Sequence, residues 1–183
     1  PLIYSEFGDD TAKMLVFPDR NPSYDIVKKT FKRFLVKDYV KSVKGTDFPK
    51  FFTSENLTEN EFNDWINVFI KYRGNRLTGG ICIKEYLDLM KYDEHVNEYR
   101  IFIANKNVVS ISRNSGQEAT TPEPPLDFYQ KYTNMESRFY TVDVAEVQDG
   151  SWKVIEAGDG SVSGLSEWQD YGAFFRSLYY AFK

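Results

Sequence analysis

The sequence predicts an α+β chain, on three observations. Apolar alternating runs come in pairs joined by short polar turns, the signature of antiparallel hairpins. Helix-type apolar stripes are interspersed with those strands and hairpins. The 183 residues are 42% hydrophobic and 17% aromatic, enough for one or two lobes with real cores.

In chain order, residues 1–22 read as irregular, with short apolar patches at Leu2–Tyr4 and Met14–Phe17. Ser23 caps an expected helix over about 24–32, where Tyr24, Val27 and Phe31 keep helical spacing. Phe34-Leu35-Val36 reads as a strand running into a basic loop with Lys37, Lys41 and Lys44. Thr58 and Glu61 form a capping box ahead of the stripe Phe62, Trp65, Ile66, Phe69, with Gly74 as the stop. A basic turn, Arg73 to Gly80, precedes a strand over Ile81–Leu89. Segments 98–104 and 108–113 form a hairpin around Asn105-Lys106-Asn107. A polar, proline-bearing loop (116–125) leads to a helix near 126–136. A second hairpin turns at Gln148-Asp149-Gly150-Ser151, between Val142–Ala145 and Trp152–Gly160. The last helix, about 168–182, carries Trp168, Tyr171, Phe175, Leu178 and Phe182, a stripe expected to face the core.

Composition excludes several classes. A net charge of -4 and a pI near 5.2 disfavour general nucleic-acid binding, although a nucleotide pocket needs only a few local cations. One cysteine, Cys82, rules out an intramolecular disulfide and a cysteine-rich zinc site, and between two isoleucines it reads as a buried inert thiol. One histidine, His95, in a polar run, rules out a multi-histidine metal site. That leaves a hard, oxygen-ligated metal. No stretch approaches the roughly 18 apolar residues of a membrane span, no signal peptide is visible, and cytoplasmic residence is the expectation. The chain begins at Pro1, so either a methionine was removed or something upstream is missing. Nothing in the sequence fixes the oligomeric state.

The second hairpin is the most informative segment. Asp143 lies on one strand, with Glu156 and Asp159 toward the far end of its partner. Carboxylates converging there repel one another unless a cation, a proton or a basic neighbour compensates. A hard divalent cation completed by substrate phosphates is one solution; a solvated strand end is the other. Upstream, Lys37, Lys41 and Lys44 lie within eight residues of a strand end, where a turn would gather them around an anion as flexible point charges. Phosphate-type lysines come first, then a strand with an acidic residue, then arginines on a hairpin, then metal-type carboxylates.

That order resembles the ATP-grasp fold, in the clade named for two arginines and a lysine, known from phages and bacterial conflict systems. The resembling segments are Phe34–Ser42, Gly79–Leu89, Glu98–Phe102 and Val154–Leu165, spanning about residues 34–165. The resemblance implies two α+β lobes with antiparallel sheets gripping a nucleotide, here 23–88 and 89–183. It implies that Lys37 contacts the phosphates, with Lys41 nearby, and that the segment from Ile83 through Lys84, Glu85, Tyr86 and Leu87 to Asp88 links the lobes and reads adenine and ribose. It further implies that Arg100 lies near the phosphates or an acyl-phosphate, with Arg113 a weaker match, and that Asp143, Glu156 and Asp159 hold Mg2+. Two departures stand out. The usual Glu-x-Asn is replaced by Glu156-Ala157-Gly158-Asp159, and the family's additional N-terminal domain has at most a remnant in residues 1–22, so the chain is either a fragment or works without it.

The implied activity is an ATP-dependent ligase: a substrate carboxylate attacks the γ-phosphoryl of ATP, and an amine or thiol, on a small molecule, peptide or protein, displaces phosphate from the acyl-phosphate. Positioning and charge neutralisation do most of the work, so no protein nucleophile is needed. Two other classes compete. A nucleotidyltransferase or RNA ligase would require a Lys-x-Asp-Gly motif, and Lys37-Asp38-Tyr39 lacks the glycine. A non-catalytic nucleotide-binding or immunity module would bind without turnover.

Overall fold

The computed structural model describes the chain from Leu2 to Lys183, with side chains from Tyr4 onward, and divides it into two compact units. One comprises residues 1–5 and Ala12–Leu87, the other Glu6–Thr11 and Asp88–Lys183. The N-terminal segment is therefore not a separate body. Nor is it irregular throughout: Met14–Phe17 is a strand, β1, paired antiparallel with the strand Ile81–Glu85.

The first unit is a four-stranded antiparallel sheet, in the order β1, β4 (Ile81–Glu85), β2 (Arg33–Asp38), β3 (Phe52–Thr53). Helices α1 (Tyr24–Thr30) and α2 (Glu59–Arg73) supply the rest of its core. β2 alternates half-buried and buried along its six residues, which is what a strand covered on one face requires. Phe34 and Val36, with Ile81 and Ile83 from β4, pack against Val27 of α1 and Phe62, Ile66 and Phe69 of α2. The capping box at α2 is formed in full: Thr58 accepts from the Glu61 N–H, and Glu61 accepts from the Thr58 N–H at 2.9 Å.

The second unit carries an antiparallel sheet in the order β10 (Trp152–Asp159), β9 (Phe139–Glu146), β7 (Glu98–Ala104), β8 (Asn107–Arg113). Both hairpins turn at the residues the sequence indicates. Asn105 and Lys106 both adopt positive φ, 47° and 69°, as a two-residue hairpin turn demands. Gly150 supplies φ 81° at the other, where Asp149 accepts from the Ser151 N–H at 2.9 Å. A minor hairpin, β5 (Lys91–Tyr92) and β6 (His95–Val96), falls where the sequence reads as a polar loop; His95 is exposed there, as expected. The helix expected near 126–136 is one short turn, α3 (Leu126–Gln130). A buried polar network ties the loop after β8 to the sheet: Asn97 donates to Glu146 at 2.8 Å and to the Pro122 carbonyl at 3.0 Å, and receives Gln117 at 3.1 Å.

The last helix corrects the sequence reading. α4 (Tyr171–Phe182) starts after the N-cap Asp170, so Trp168 lies outside it, and its buried side chain is Phe174 rather than the expected stripe. Phe174 meets Phe102 edge-on at 4.9 Å, and half-buried Leu178 follows one turn later. Tyr171, Phe175 and Phe182 are 52%, 60% and 43% exposed. The helix is aromatic around its circumference, so residue type alone could not select the inward face. No helix among the described residues is long and apolar enough to cross a membrane.

This packing sets a test. Phe174→Ala is expected to cost about 3–5 kcal/mol of stability, as for other core aromatic truncations, whereas Phe175→Ala should stay within about 1 kcal/mol of wild type. Urea unfolding of the two variants measures both.

Candidate functional site

In the first unit the register places Lys37 opposite Cys82 and Lys84 opposite Leu35. Alternation puts both lysines on the sheet face turned away from the Phe34/Val36 core. Their ammonium groups lie 5.9 and 4.6 Å from the Tyr4 ring, a cation–π neighbour that the sequence did not signal. Lys41 and Lys44 are exposed in the following loop.

That loop is organised by Asp38, which is fully buried. One carboxylate oxygen accepts from the Val40 and Lys41 N–H groups at 2.7 and 2.6 Å; the other accepts from Arg73 Nε at 2.9 Å and the Thr78 N–H at 3.1 Å. Burial pushes the Asp38 pKa upward, but the Lys41, Val40 and Thr78 N–H groups and the Arg73 guanidinium outweigh it and hold the carboxyl below its ordinary value. Asp38 thus fastens the basic turn, the end of α2 and the segment before Gly79 to one point. Gly79 has φ 68° against the Tyr39 ring, leaving no room for a Cβ.

The interlobe segment expected to read a base is distributed as follows. Glu85 accepts from the Lys13 N–H at 3.2 Å and gives its own N–H to the Lys13 carbonyl at 2.8 Å. The Tyr86 N–H bonds the Arg33 carbonyl, and its ring packs tilted against Phe51, centroids 4.4 Å apart, with the Arg33 guanidinium over both. Half-buried Leu87 ends the first unit, and exposed Asp88 opens the second, its carbonyl accepting from the Gln148 N–H at 2.9 Å.

The second unit gathers charge at Arg100. β7 and β9 place Arg100 directly across from Asp143. The guanidinium grips the carboxylate with both prongs, Nε to Oδ1 at 2.8 Å and Nη2 to Oδ2 at 2.5 Å, while Nη1 donates to the Gly164 carbonyl at 3.1 Å. Asp143 is 2% exposed, so the pair is desolvated on the acid side. The hydrogen bond to Asp143 is the main cause that raises the Arg100 pKa, with Glu156 and Glu98 adding to it.

A β-bulge decides which residue joins them. β10 pairs regularly with β9 up to Val154↔Val144; the next pair is Glu156↔Asp143, and Ile155 is the extra residue. Unbroken alternation would turn Glu156 to the Val144 face and set Ile155 against Asp143. The bulge puts Glu156 on the Arg100 face instead. Glu98, two residues before Arg100 on β7, completes the group on that face. Desolvation raises the Glu98 pKa, the Asp143 and Glu156 charges raise it further, and a hydrogen bond from the Asn114 side chain partly offsets both. Glu98 is a member of this cluster that sequence reasoning missed. Its signal was present, an acid at i−2 from Arg100, but only the register makes it meaningful.

Two expected members are not brought together with these. Asp159 lies three residues beyond Glu156 with no further register shift, so it faces the other side of the sheet, where it accepts from the Ser161 N–H at 2.8 Å. Arg113 pairs with Tyr99, on the face opposite Arg100, and is engaged by Thr121 and Glu123. Among the described residues no three His, Cys, Asp or Glu side chains are grouped to hold a metal. Asp143 and Glu156 remain as two hard oxygen donors on one face. That set fits Mg2+, which takes one or two carboxylates and completes its shell with water and phosphate oxygens.

Two variants test these anchors. Arg100→Ala leaves a buried carboxylate unpaired and is expected to cost about 3–5 kcal/mol in denaturant unfolding. Asp38 has a folded pKa below its unfolded one, so its stabilisation is complete above the unfolded value and is lost as pH falls through the folded value. Asp38→Asn should therefore melt lower at neutral pH and lose less of its melting temperature between about pH 4 and pH 2 than wild type.

A search of curated protein sequences found no match for the chain. Among solved structures, the ATP-grasp ligase PsnB complexed with minimal precursor, Mg and ADP is similar over 98% of this chain and 56% of its own, at 12% identity and a TM-score of 0.59. D-alanyl-alanine synthetase A from Vibrio cholerae O1 biovar eltor str. N16961 matches 98% of this chain and 62% of its own, at 11% identity and 0.55. The macrocyclase MdnC from Microcystis aeruginosa MRC, bound with precursor peptide MdnA, matches 97% and 56%, at 12% and 0.54. At these identities the likeness establishes the fold, and the chain spans little more than half the length of the structures it matches. One family model, an ATP-grasp domain numbered third within the clade of two arginines and a lysine, matches residues 16–178, nearly the whole chain, and the chain belongs to that family.

Proposed function

We propose that the chain is the nucleotide-binding and catalytic part of an ATP-dependent carboxylate–amine or carboxylate–thiol ligase that works through an acyl-phosphate. The observation that carries this reading is the placement of Glu156, by the bulge at Ile155, beside the Arg100–Asp143 pair. A strand register is interrupted and a carboxylate is turned from an apolar face toward Asp143 and Arg100, a placement that suits a metal ligand.

In this reading Asp143 and Glu156 hold Mg2+, which when bound neutralises the charge of the ATP phosphates. Each Asp143 oxygen keeps a lone pair beyond its bond to Arg100, so the pair and the metal are compatible. Arg100 orients Asp143 and presents positive charge to the transferring phosphoryl group. Lys37 and Lys84, on the sheet face of the first unit turned away from the Phe34/Val36 core, contribute phosphate charge neutralisation, and the Glu85–Asp88 segment contributes base and ribose contacts. The carboxylate oxygen of the substrate bonds to the γ-phosphorus, ADP leaves, and the acceptor then displaces phosphate from the acyl carbon. PsnB and MdnC are complexed with precursor peptides, which favours a peptide as one substrate here. Asp159 and Arg113 have no part in it.

Magnesium-ATP at one hundred times its Kd is expected to stabilise the chain by about 2.7 kcal/mol, read as a raised melting temperature. Glu156→Gln should keep the fold and lose the magnesium-dependent part of that shift. An unchanged wild-type midpoint at millimolar magnesium-ATP would overturn the proposal. Lys37→Arg should retain part of the affinity, because a charge contact tolerates a guanidinium where a covalently adenylylated lysine does not. ATP labelled at the α-phosphate should accordingly leave no adduct on the wild-type chain in denaturing mass measurement.

A further inference from the structure

Of the six aromatic residues of α4 only Phe174 is buried. At 3.6 residues per turn, successive side chains are about 100° apart, which sets Tyr171, Phe175, Tyr179 and Phe182 within roughly 80° of one another, with Leu178 at their edge. Phe174, against Phe102, and half-buried Ala181 take the side that meets the sheet. The four residues of the stripe are 52%, 60%, 62% and 43% exposed. Arg176 is the one charged residue within α4, and it falls beyond the edge of the stripe.

Phe175, Leu178, Tyr179, Phe182 and Lys183 line an open groove of about 450 Å³. Tyr171, one turn earlier, stands outside it. The stripe therefore has a projecting ring at one end and a groove at the other. A two-fold pair requires that combination, because the same patch on each copy must supply both knob and hole. In an antiparallel pair with its axis between residues 176 and 177, Tyr171 of each copy comes over Phe182 and the groove of the other, and Phe175 comes opposite Leu178. The spacing 171, 175, 178, 182 alternates four and three, which is the seam spacing of paired helices.

Area and charge agree with this occupant. Taking about 200 Å² for a fully exposed aromatic side chain, the four leave roughly 430 Å² open. Interfaces are about 56–65% apolar, so such a patch is the apolar share of roughly 650–770 Å² per partner, close to the ~800 Å² of stable complexes. A charged stripe would repel its own copy, and this one is uncharged although the chain carries a net charge of -4. A bilayer fits less well, since an interfacial helix needs several Lys or Arg along its polar side and α4 has Arg176 alone.

We propose that α4 is a self-association surface through which two copies of the chain pair as an antiparallel, two-fold helix dimer. No residue of α4 belongs to the nucleotide or metal sites, so the pairing stands apart from the ligase reading. Phe175 serves the pair and not the core: its truncation leaves the separated chain as stable as stated above and weakens association.

Interfaces of this size bind at about micromolar or tighter, so in size-exclusion light scattering the full chain at about 100 μM should show twice the 21.4 kDa of one chain. Phe175→Glu places a carboxylate in the seam of both copies and should raise the dimer Kd at least about a hundredfold. Tyr171→Ala, which keeps a good helix former at the first turn, should raise it at least about tenfold. Tyr180→Glu makes the same charge change on the far side of the helix, where Tyr180 is 69% exposed, and should leave Kd within about threefold of wild type. Mixing Tyr171→Cys and Phe182→Cys chains under mild oxidation reads the orientation, since the native Cys82 is buried. The mixed disulfide should dominate. A wild-type mass of one chain at that concentration, Phe175→Glu and Tyr171→Ala dimers as tight as wild type, equal weakening by Tyr180→Glu, or homodisulfides in place of the mixed one would each overturn the proposal.

Discussion

The charged face of the second unit depends on the bidentate bond between Arg100 and Asp143. An aspartate 2% exposed in mid-sheet would be strongly destabilising as an unpaired charge. Arg100 removes that penalty with two parallel N–H bonds and, through a third to the Gly164 carbonyl, fixes the loop that follows β10. The arginine is therefore a structural counter-ion and the centre of the charged face at once. Glu98 and Glu156 are both located by reference to it.

Two carboxylates set beside an already neutralised pair make this face negative, and the strained member is Glu98, whose acidity is weakened by burial and by Asp143. The bulge at Ile155 belongs to the same arrangement, since regular pairing would have placed an isoleucine against Asp143. Bulges that re-aim a side chain are a known way of terminating regularity next to an active site. The first unit solves a related problem differently: its buried acid, Asp38, is satisfied by backbone N–H groups and Arg73, and serves to shape a loop between two lysine-bearing segments.

Much of this was legible in the sequence, and the remainder was not for definable reasons. The capping box at Thr58 and Glu61, the stripe Phe62, Ile66, Phe69 and both hairpin turns are local signals and appear as read. The family's order of lysine, linker, arginine and carboxylates led to the fold. What was not legible required register. Spacing does not reveal which face a strand residue takes after a bulge, so Asp159 and Glu156 could be told apart only in the structure, and Arg113, the weaker match, lies an odd step from Arg100 across the hairpin and so on the other face. Glu98 carries no motif, and its place beside Arg100 and Asp143 exists only once β7 and β9 are paired. The α4 stripe failed because aromatic residues surround the helix, and only contact with Phe102 distinguishes Phe174.

Docking of a metal–nucleotide complex on the Asp143/Glu156 face is tested most directly by paramagnetic broadening with Mn2+–AMPPNP. The effect falls steeply with distance from the ion and does not depend on turnover or on the identity of the acceptor. The amide signals of Val142 to Val144 and of Ile155 to Ala157 are expected to vanish first, at substoichiometric Mn2+, and to return on addition of excess Mg2+. Broadening that spares both strands and concentrates elsewhere, for example around exposed Glu55 and Glu59, would contradict the account.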